Sequence, residues 1–224
     1  EMLECVQRGI AMTDLSRFFE REAGIVTTNL VDPSWLVFSG GFDHSTSRCM
    51  NKRIFDVLAA SALLLIAWPV MALVALCVRL ESSGPILYQQ TRIGEGGRPF
   101  ELIKFRSMCA DAEGDGVARW AQRGDDRTTR VGKFIRLTRL DELPQLFNIL
   151  RGEMSIVGPR PERPQFVDML SREVRYYAVR HCVKPGLTGW AQLRYPYGAS
   201  VRDPEEKLKF DLFYVKNHGL VFDL

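Results

Sequence analysis

Val57 to Val78 is a run of twenty-two residues without a charge, and no other stretch restricts the fold of this chain so severely. A helix of that length crosses the roughly 30 Å hydrocarbon core of a bilayer. It lies too far into the chain to be a signal peptide. Pro69, after Trp68, falls near its middle, where a proline removes one helical hydrogen bond and kinks the helix. Arg48, Lys52 and Arg53 precede the run, and Arg79 and Arg92 follow it. Positive charge at both ends prefers the cytoplasm, so the expectation is a re-entrant helix pair bending back at Pro69, and not a span. The competing reading is the buried core helix of a soluble domain, which seldom needs so long an uncharged run.

The chain has 224 residues and a net charge of +3, enough length for one substantial domain with appendages and too little positive charge for a general nucleic-acid binder. The charge is unevenly placed. Arg123, Arg127, Arg130, Lys133, Arg136 and Arg139 outweigh Asp125 and Asp126, a stripe suited to anionic headgroups or phosphates, with a solvated helix face as the alternative. Five scattered cysteines, odd in number and never spaced C-x-x-C, argue for no disulfide framework, no zinc site and a reducing compartment. His181-Cys182 suggests a thiol protease only superficially, because neighbours in sequence rarely face each other.

The basic stripe leads into Thr138-Arg139-Leu140-Asp141-Glu142-Leu143-Pro144-Gln145-Leu146. Asp141 suits a helix N-cap, Pro144 a first turn, and Leu143, Leu146, Phe147 and Leu150 form an apolar stripe ended by Gly152. Two adjacent carboxylates then stand at the positive end of a helix dipole, beside backbone N–H groups that favour an approaching phosphate. Capping alone also explains them. Shortly after comes Gly158-Pro159-Arg160-Pro161-Glu162, where the prolines hold Arg160 extended and suit its guanidinium to a bidentate grip on phosphate.

Elsewhere the chain reads more plainly. Residues 1–46 resemble the last strand and helix of an α/β domain with a linker, and the chain reads as a piece of something longer. Residues 47–80 form the membrane segment and 81–224 the main body of the chain. Ile86 to Gln90 and Phe100 to Phe105, joined by Gly94-Glu95-Gly96-Gly97, make a β-hairpin. It delivers Lys104 and Arg106 to one side of an alternating strand as a second phosphate-facing pair, unless both are merely exposed charges. Asp111-Ala112-Glu113 has the form of a metal-binding pair but needs only a helix start to explain it. Residues 114–124 are loop-rich, around Trp120, and 131–138 form a basic amphipathic helix with Val131, Phe134 and Ile135 on one side. Residues 164–174 and 204–216 are helices, the second carrying Asp211 and Tyr214. Lys184 to Gln192 is a loop whose Trp190 and Gln192 suit a nucleotide base or simple packing.

Five motifs in order resemble the bacterial sugar transferase family, the monotopic phosphoglycosyl transferases, in the branch that starts exopolysaccharide synthesis. They are Lys52-Arg53-Ile54-Phe55-Asp56, Lys104-Phe105-Arg106-Ser107-Met108, Leu140-Asp141-Glu142-Leu143-Pro144-Gln145, Val157-Gly158-Pro159-Arg160-Pro161 and Lys184-Pro185-Gly186-Leu187-Thr188-Gly189. The resemblance implies an α+β, helix-rich monotopic membrane fold with a re-entrant helix and a β-hairpin, preceded by the remnant of an α/β domain. It implies transfer of a sugar 1-phosphate from a UDP-sugar to a polyprenol phosphate at the cytoplasmic face of a bacterial inner membrane, with UMP leaving and Mg²⁺ required. By the same carry-over Asp141 is the nucleophile, Glu142 its partner and fellow metal ligand, Arg160 and Lys104 hold phosphate, and Asp211 falls on an acidic position of the family. Larger members point to a dimer. Arg139 stands where some relatives have serine. A UDP-releasing glycosyltransferase is a rival reading, although its usual D-x-D strand end is not evident; a non-enzymatic assembly factor with Asp141 as a cap is another.

Overall fold

The computed structural model describes residues 4, 7–9, 13–32, 45–109, 127–195 and 203–224. The expectations for Asp111, Glu113, Trp120 and the acidic and basic residues at 123–126 lie outside them, as does much of the first 46 residues.

The uncharged run lies inside one 36-residue helix, which we call α2 (Thr46–Glu81), roughly 54 Å long at 1.5 Å per residue. It is long and apolar enough to cross a membrane by length and composition. The segment expected as a helix pair is one element, continuous through Pro69, so a bend at the proline falls within a single helix. A proline removes one helical hydrogen bond, which a helix of this length accommodates without ending. Asp56, Ala60, Val74 and Val78 are buried on one face of α2, whereas Leu58, Leu65, Ile66, Trp68, Leu73 and Leu80 are exposed. From Ser61 to Leu73 no residue is buried. The arrangement inverts that of a soluble helix: the covered stripe includes a carboxylate and the open face is apolar.

Both ends of α2 grip the same body. Near its start, Arg53 donates to the carbonyls of Ile149 (2.6 Å) and Leu150 (2.7 Å), so it caps the end of α4 (Gln145–Arg151). Asp56 accepts from Ser155 Oγ (2.9 Å) and Ile156 N (3.0 Å) in β3 (Ser155–Val157). Lys52 pairs with Asp223 and reaches Val157 O (3.2 Å). At the far end Glu81 accepts from the first N–H groups of α3 (Arg130–Leu137), those of Arg130 (2.8 Å) and Val131 (3.1 Å). Val74 and Val78 pack there against Phe105 and Ile135.

The expected hairpin is present. β1 (Leu87–Ile93) and β2 (Pro99–Phe105) pair antiparallel with Tyr88 opposite Lys104 and Arg92 opposite Phe100. Asn148 of α4 holds the open side of β2, accepting from Ile103 N (3.1 Å) and donating to Glu101 O (2.7 Å), as a neighbouring strand would. A parallel pair joins β3 to β4 (Gly186–Thr188), which falls where the turn-rich sequence predicted only a loop. The helices α5 (Pro164–Glu173), α6 (Trp190–Arg194), α7 (Asp203–Asn217) and α8 (Leu220–Asp223) complete the body. The faces of α3 and α4 differ from expectation: Phe134 and Phe147 are exposed, while Ile135, Leu146 and Ile149 are buried.

The early segment contributes to the core. It holds α1 (Leu15–Ala23) and a 3₁₀ turn at Thr28–Leu30, with no strand among its described residues. Val26 and Val31 pack with Leu170, Tyr177, Leu208 and Leu212, and Glu20 pairs with Lys216 at 2.8 Å.

Candidate active site

Arg139 adopts a left-handed backbone (φ 61°), uncommon for a residue with a Cβ. It turns the chain out of α3 into a 3₁₀ turn, Leu140–Glu142, that carries both carboxylates. Asp141 is therefore not the N-cap of α4. That position belongs to Pro144, and the backbone is already helical at Leu143. The same bend brings Arg139 Nη2 to within 3.3 Å of Glu142 Oε2.

Both carboxylates are buried, Asp141 at 7% and Glu142 at 5% exposure, yet their environments push them apart. For Asp141, burial raises the pKa above the usual range and the charge of Glu142 adds to this, against the pull of Lys104, Arg136 and Arg139. Burial pushes Glu142 up as well, but Arg160 and Lys104 outweigh it and hold its carboxyl below the usual range. Arg160 Nη2 donates to Glu142 Oε1 at 2.9 Å. Asp141 Oδ1 is buried without a hydrogen-bond partner among the described residues. Two carboxylates separated in this way, one ionised and engaged and the other more basic and unengaged at one oxygen, divide naturally into a supporting group and a reacting one.

Lys104 stands on β2 beside them. Burial, then repulsion from Arg160 and Arg92, lowers its pKa to about 8, while Glu142 and Asp141 act to raise it. The expectation of a phosphate-facing partner at Arg106 is corrected. β2 ends at Phe105, the strand alternation stops, and Arg106 donates to Ser83 O (2.8 Å), Ser82 O (2.8 Å) and Ser82 Oγ (2.8 Å) in the turn after α2. It closes the end of α2.

Trp190 is likewise a packing residue. Its Nε1 donates to Gly24 O (2.9 Å), and its ring stacks on Phe213 at 6.0 Å and meets Phe222 edge-on at 5.2 Å. Gln192 keeps a buried Oε1 with no partner among the described residues. Asp211 is buried in an ion pair with Arg180, Nη2 to Oδ2 at 2.8 Å, and so reaches the site only through that arginine. Arg180 itself escaped the sequence reading, since an arginine next to His181-Cys182 carries no motif signal. That pair is unprimed: burial and the charge of Arg180 lower the pKa of His181 to about 4, and burial raises the Cys182 thiol.

Residues 47–224 match the family profile described as bacterial sugar transferase. Over 173 residues the chain is 48% identical to UDP-N-acetylgalactosamine-undecaprenyl-phosphate N-acetylgalactosaminephosphotransferase of Aeromonas hydrophila, covering 77% of this chain and 41% of that protein. It is 45% identical over 177 residues to UDP-glucose:undecaprenyl-phosphate glucose-1-phosphate transferase of Caulobacter vibrioides, covering 78% and 66%. Exopolysaccharide production protein PSS of Rhizobium leguminosarum is 41% identical over 179 residues, covering 77% and 89%. The chain thus spans less than two thirds of the first two relatives' length. With the profile matched from the start of α2 to the last residue, this chain belongs to the bacterial sugar transferase family.

Proposed function

We propose that this chain transfers a sugar 1-phosphate from a UDP-sugar to a membrane polyprenol phosphate, undecaprenyl phosphate by the names of its relatives, as the first membrane step of exopolysaccharide assembly. The observation that carries this reading is the buried Asp141–Glu142 pair, its two ionisations held apart beside Lys104 and Arg160. A carboxylate oxygen of Asp141 attacks the phosphorus bearing the sugar, and the bond from that phosphorus to the bridging oxygen breaks as UMP departs. The resulting acyl phosphate is attacked by a phosphate oxygen of the polyprenol phosphate, which frees the carboxylate and leaves a polyprenyl diphosphate sugar. No net proton is required in either step. The raised basicity of Asp141 favours attack, and Lys104 and Arg160 neutralise the transferring group. Glu142 orients Arg160 through their hydrogen bond. Gln192, with its unpartnered acceptor, suits the N–H edge of the base.

The dyad fits Mg²⁺ in its donor chemistry. Mg²⁺ takes one or two carboxylates and completes its shell with phosphate oxygens and water, and Asp141 Oδ1 lacks a partner beside Glu142. No cage of three or more acidic, histidine or cysteine side chains exists among the described residues, so the ion fits as a companion of the diphosphate. Bound there, it supplies neutralising charge to the phosphate oxygens.

Lys104 makes the reaction pH-dependent. Its cationic form, needed beside the phosphate, is present below about 8 and is lost as pH rises through that value. The expected kcat/KM therefore falls above about 8 with the loss of one proton, and Lys104→Arg moves that limb to higher pH because arginine stays protonated. An unmoved limb in the arginine variant would assign it to another group.

A re-entrant α2, with its exposed middle around Pro69 inserted into the cytoplasmic leaflet of a bacterial inner membrane, accounts for both ends meeting one body. A span separates its ends by about 30 Å of hydrocarbon, whereas Arg53 and Glu81 both hold the catalytic body. Exposed Phe134 and Leu137, on the same helix as Arg130 and Lys133, extend the lipid-facing surface. Cys49, in the first turn of α2, and Cys109, beyond β2, are both exposed. In variants retaining one or the other, a membrane-impermeant maleimide should label both from the cytoplasmic side only; labelling from opposite sides would make α2 a span.

The reaction is tested by UMP release from UDP-glucose, UDP-N-acetylgalactosamine and other UDP-sugars with Mg²⁺ in detergent, before and after adding undecaprenyl phosphate. A burst matching the enzyme concentration supports the covalent route. Turnover with lipid but no burst supports direct transfer through a ternary complex, release of UDP the glycosyltransferase, and no nucleotide release with any donor the assembly factor.

A further inference from the structure

We propose that Arg180 is a positioning residue that sets the Arg160 guanidinium by pinning its backbone. This inference rests on the phosphotransfer reading of the Asp141 site. Pro159 and Pro161 have no N–H, so the segment around Arg160 cannot hold its own shape by local hydrogen bonds and must be held through its carbonyls. Four successive carbonyls are held from three elements: β4, the 3₁₀ turn at Tyr177–Cys182 and, at two of them, β1. Gly186 N donates to Pro159 O (3.0 Å) and Ile93 N to Glu162 O (3.0 Å). Arg180 Nη2 donates to Arg160 O (2.8 Å) and Arg92 Nη1 to Pro161 O (3.0 Å).

Only the pin on Arg160 itself comes from a fully engaged, buried side chain. Besides that bond, the Arg180 guanidinium donates through Nε to Asp211 Oδ2 (3.1 Å) and through Nη1 to Tyr177 OH (2.8 Å), with Nη2 also 2.8 Å from Asp211 Oδ2. Asp211 fixes the fork from α7, and Tyr177 fixes it from the 3₁₀ turn at Tyr177–Cys182, so the carbonyl meets a donor that has no freedom to follow it. The order of dependence runs from Asp211 and Tyr177 to Arg180, to the backbone of Arg160, and from its side chain to Glu142. Lysine at 180 keeps the charge opposite Asp211 but loses the planar fork that serves three partners at once.

The test measures UMP release and donor KM with Arg180→Lys and Tyr177→Phe, each alone and combined with Arg160→Lys, with thermal melts to verify folding. Arg180→Lys alone should lower kcat about thirtyfold and Tyr177→Phe about threefold, with KM moved less than kcat. In the Arg160→Lys background, where the two-point grip is already gone, each should cost less than about twofold further, because residues acting as one unit are not additive. Equal fold losses in both backgrounds, or no loss in folded single variants, would overturn the inference. If Arg180→Lys does not fold, Tyr177→Phe decides by the same comparison. A wild-type chain that releases no UMP from any donor overturns the underlying reaction instead.

Discussion

Asp141→Asn is expected to abolish UMP release while leaving the protein at least as stable as before. Asparagine has nearly the same shape but no charge and no nucleophilic oxygen, so the loss should reach at least about 10³-fold, as for other enzymes deprived of a nucleophile. Stability should move the other way. Burial and Glu142 raise the pKa of Asp141 in the folded chain. Above the unfolded carboxylate range the fold then disfavours the ionised side chain, and stability declines as pH rises toward neutrality. A neutral side chain removes that penalty, so the melting temperature at neutral pH should hold or increase. Glu142→Gln is the contrast: its pKa is lowered by Arg160 and Lys104, so its charge stabilises the fold at neutral pH and its loss should lower the melting temperature. Intact-protein mass after incubation with donor should show an added phosphosugar in the wild type and none in Asp141→Asn. Normal turnover by the asparagine variant would remove Asp141 from the role of nucleophile.

Gly186→Ala should have the largest effect on the fold itself. A Cβ at this position falls 2.1 Å from Gly158 N and 2.4 Å from Thr188 O. Both are backbone atoms that cannot rotate aside. β3 and β4 must separate, which breaks the bonds from Gly186 N to Pro159 O (3.0 Å) and from Gly158 N to Thr188 O (2.8 Å). Overpacking against fixed backbone together with two lost hydrogen bonds costs about 3 kcal/mol or more. For a chain of this size that lowers the melting temperature by about 10 °C. Because Gly158 leads directly into Pro159-Arg160, the displaced strand also moves the phosphate-binding guanidinium, and a shift of about 1 Å there costs about 10²-fold in rate. A folded alanine variant with an unchanged melting temperature and rate would mean that the two strands are not so closely apposed.

How much of this was legible in the sequence depends on whether the relevant forces are local. The hairpin followed from alternation and its glycines, α5 from Pro164 at its first position, and the end of α4 from Gly152, whose φ of 86° suits a residue without a Cβ. The carboxylate pair and Arg160 followed from motif spacing. Arg106 was misread because strand alternation holds only while the strand lasts, and Trp190 because an indole in a turn-rich loop packs or binds with equal sequence signal. Arg180 and Asn148 gave no signal and Asp56 only its place at the end of a motif, since each acts on partners distant in the chain, as in the bonds that Ser155 donates to Asp56 and Arg180 to Arg160.

The sequence by itself determined that the chain carries a membrane-length apolar helix, a hairpin, two adjacent acids in a helical turn and an arginine locked between prolines. These follow from covalent geometry and the periodic placement of apolar residues, which act over a few positions. Only the tertiary structure decided that both ends of the long helix return to one body, that Lys104 and not Arg106 faces the acids, and that Asp141 and Glu142 ionise differently. Those outcomes depend on burial and on charges brought together from distant parts of the chain, and desolvation and Coulomb energies are set by neighbours in space, whatever their distance in sequence.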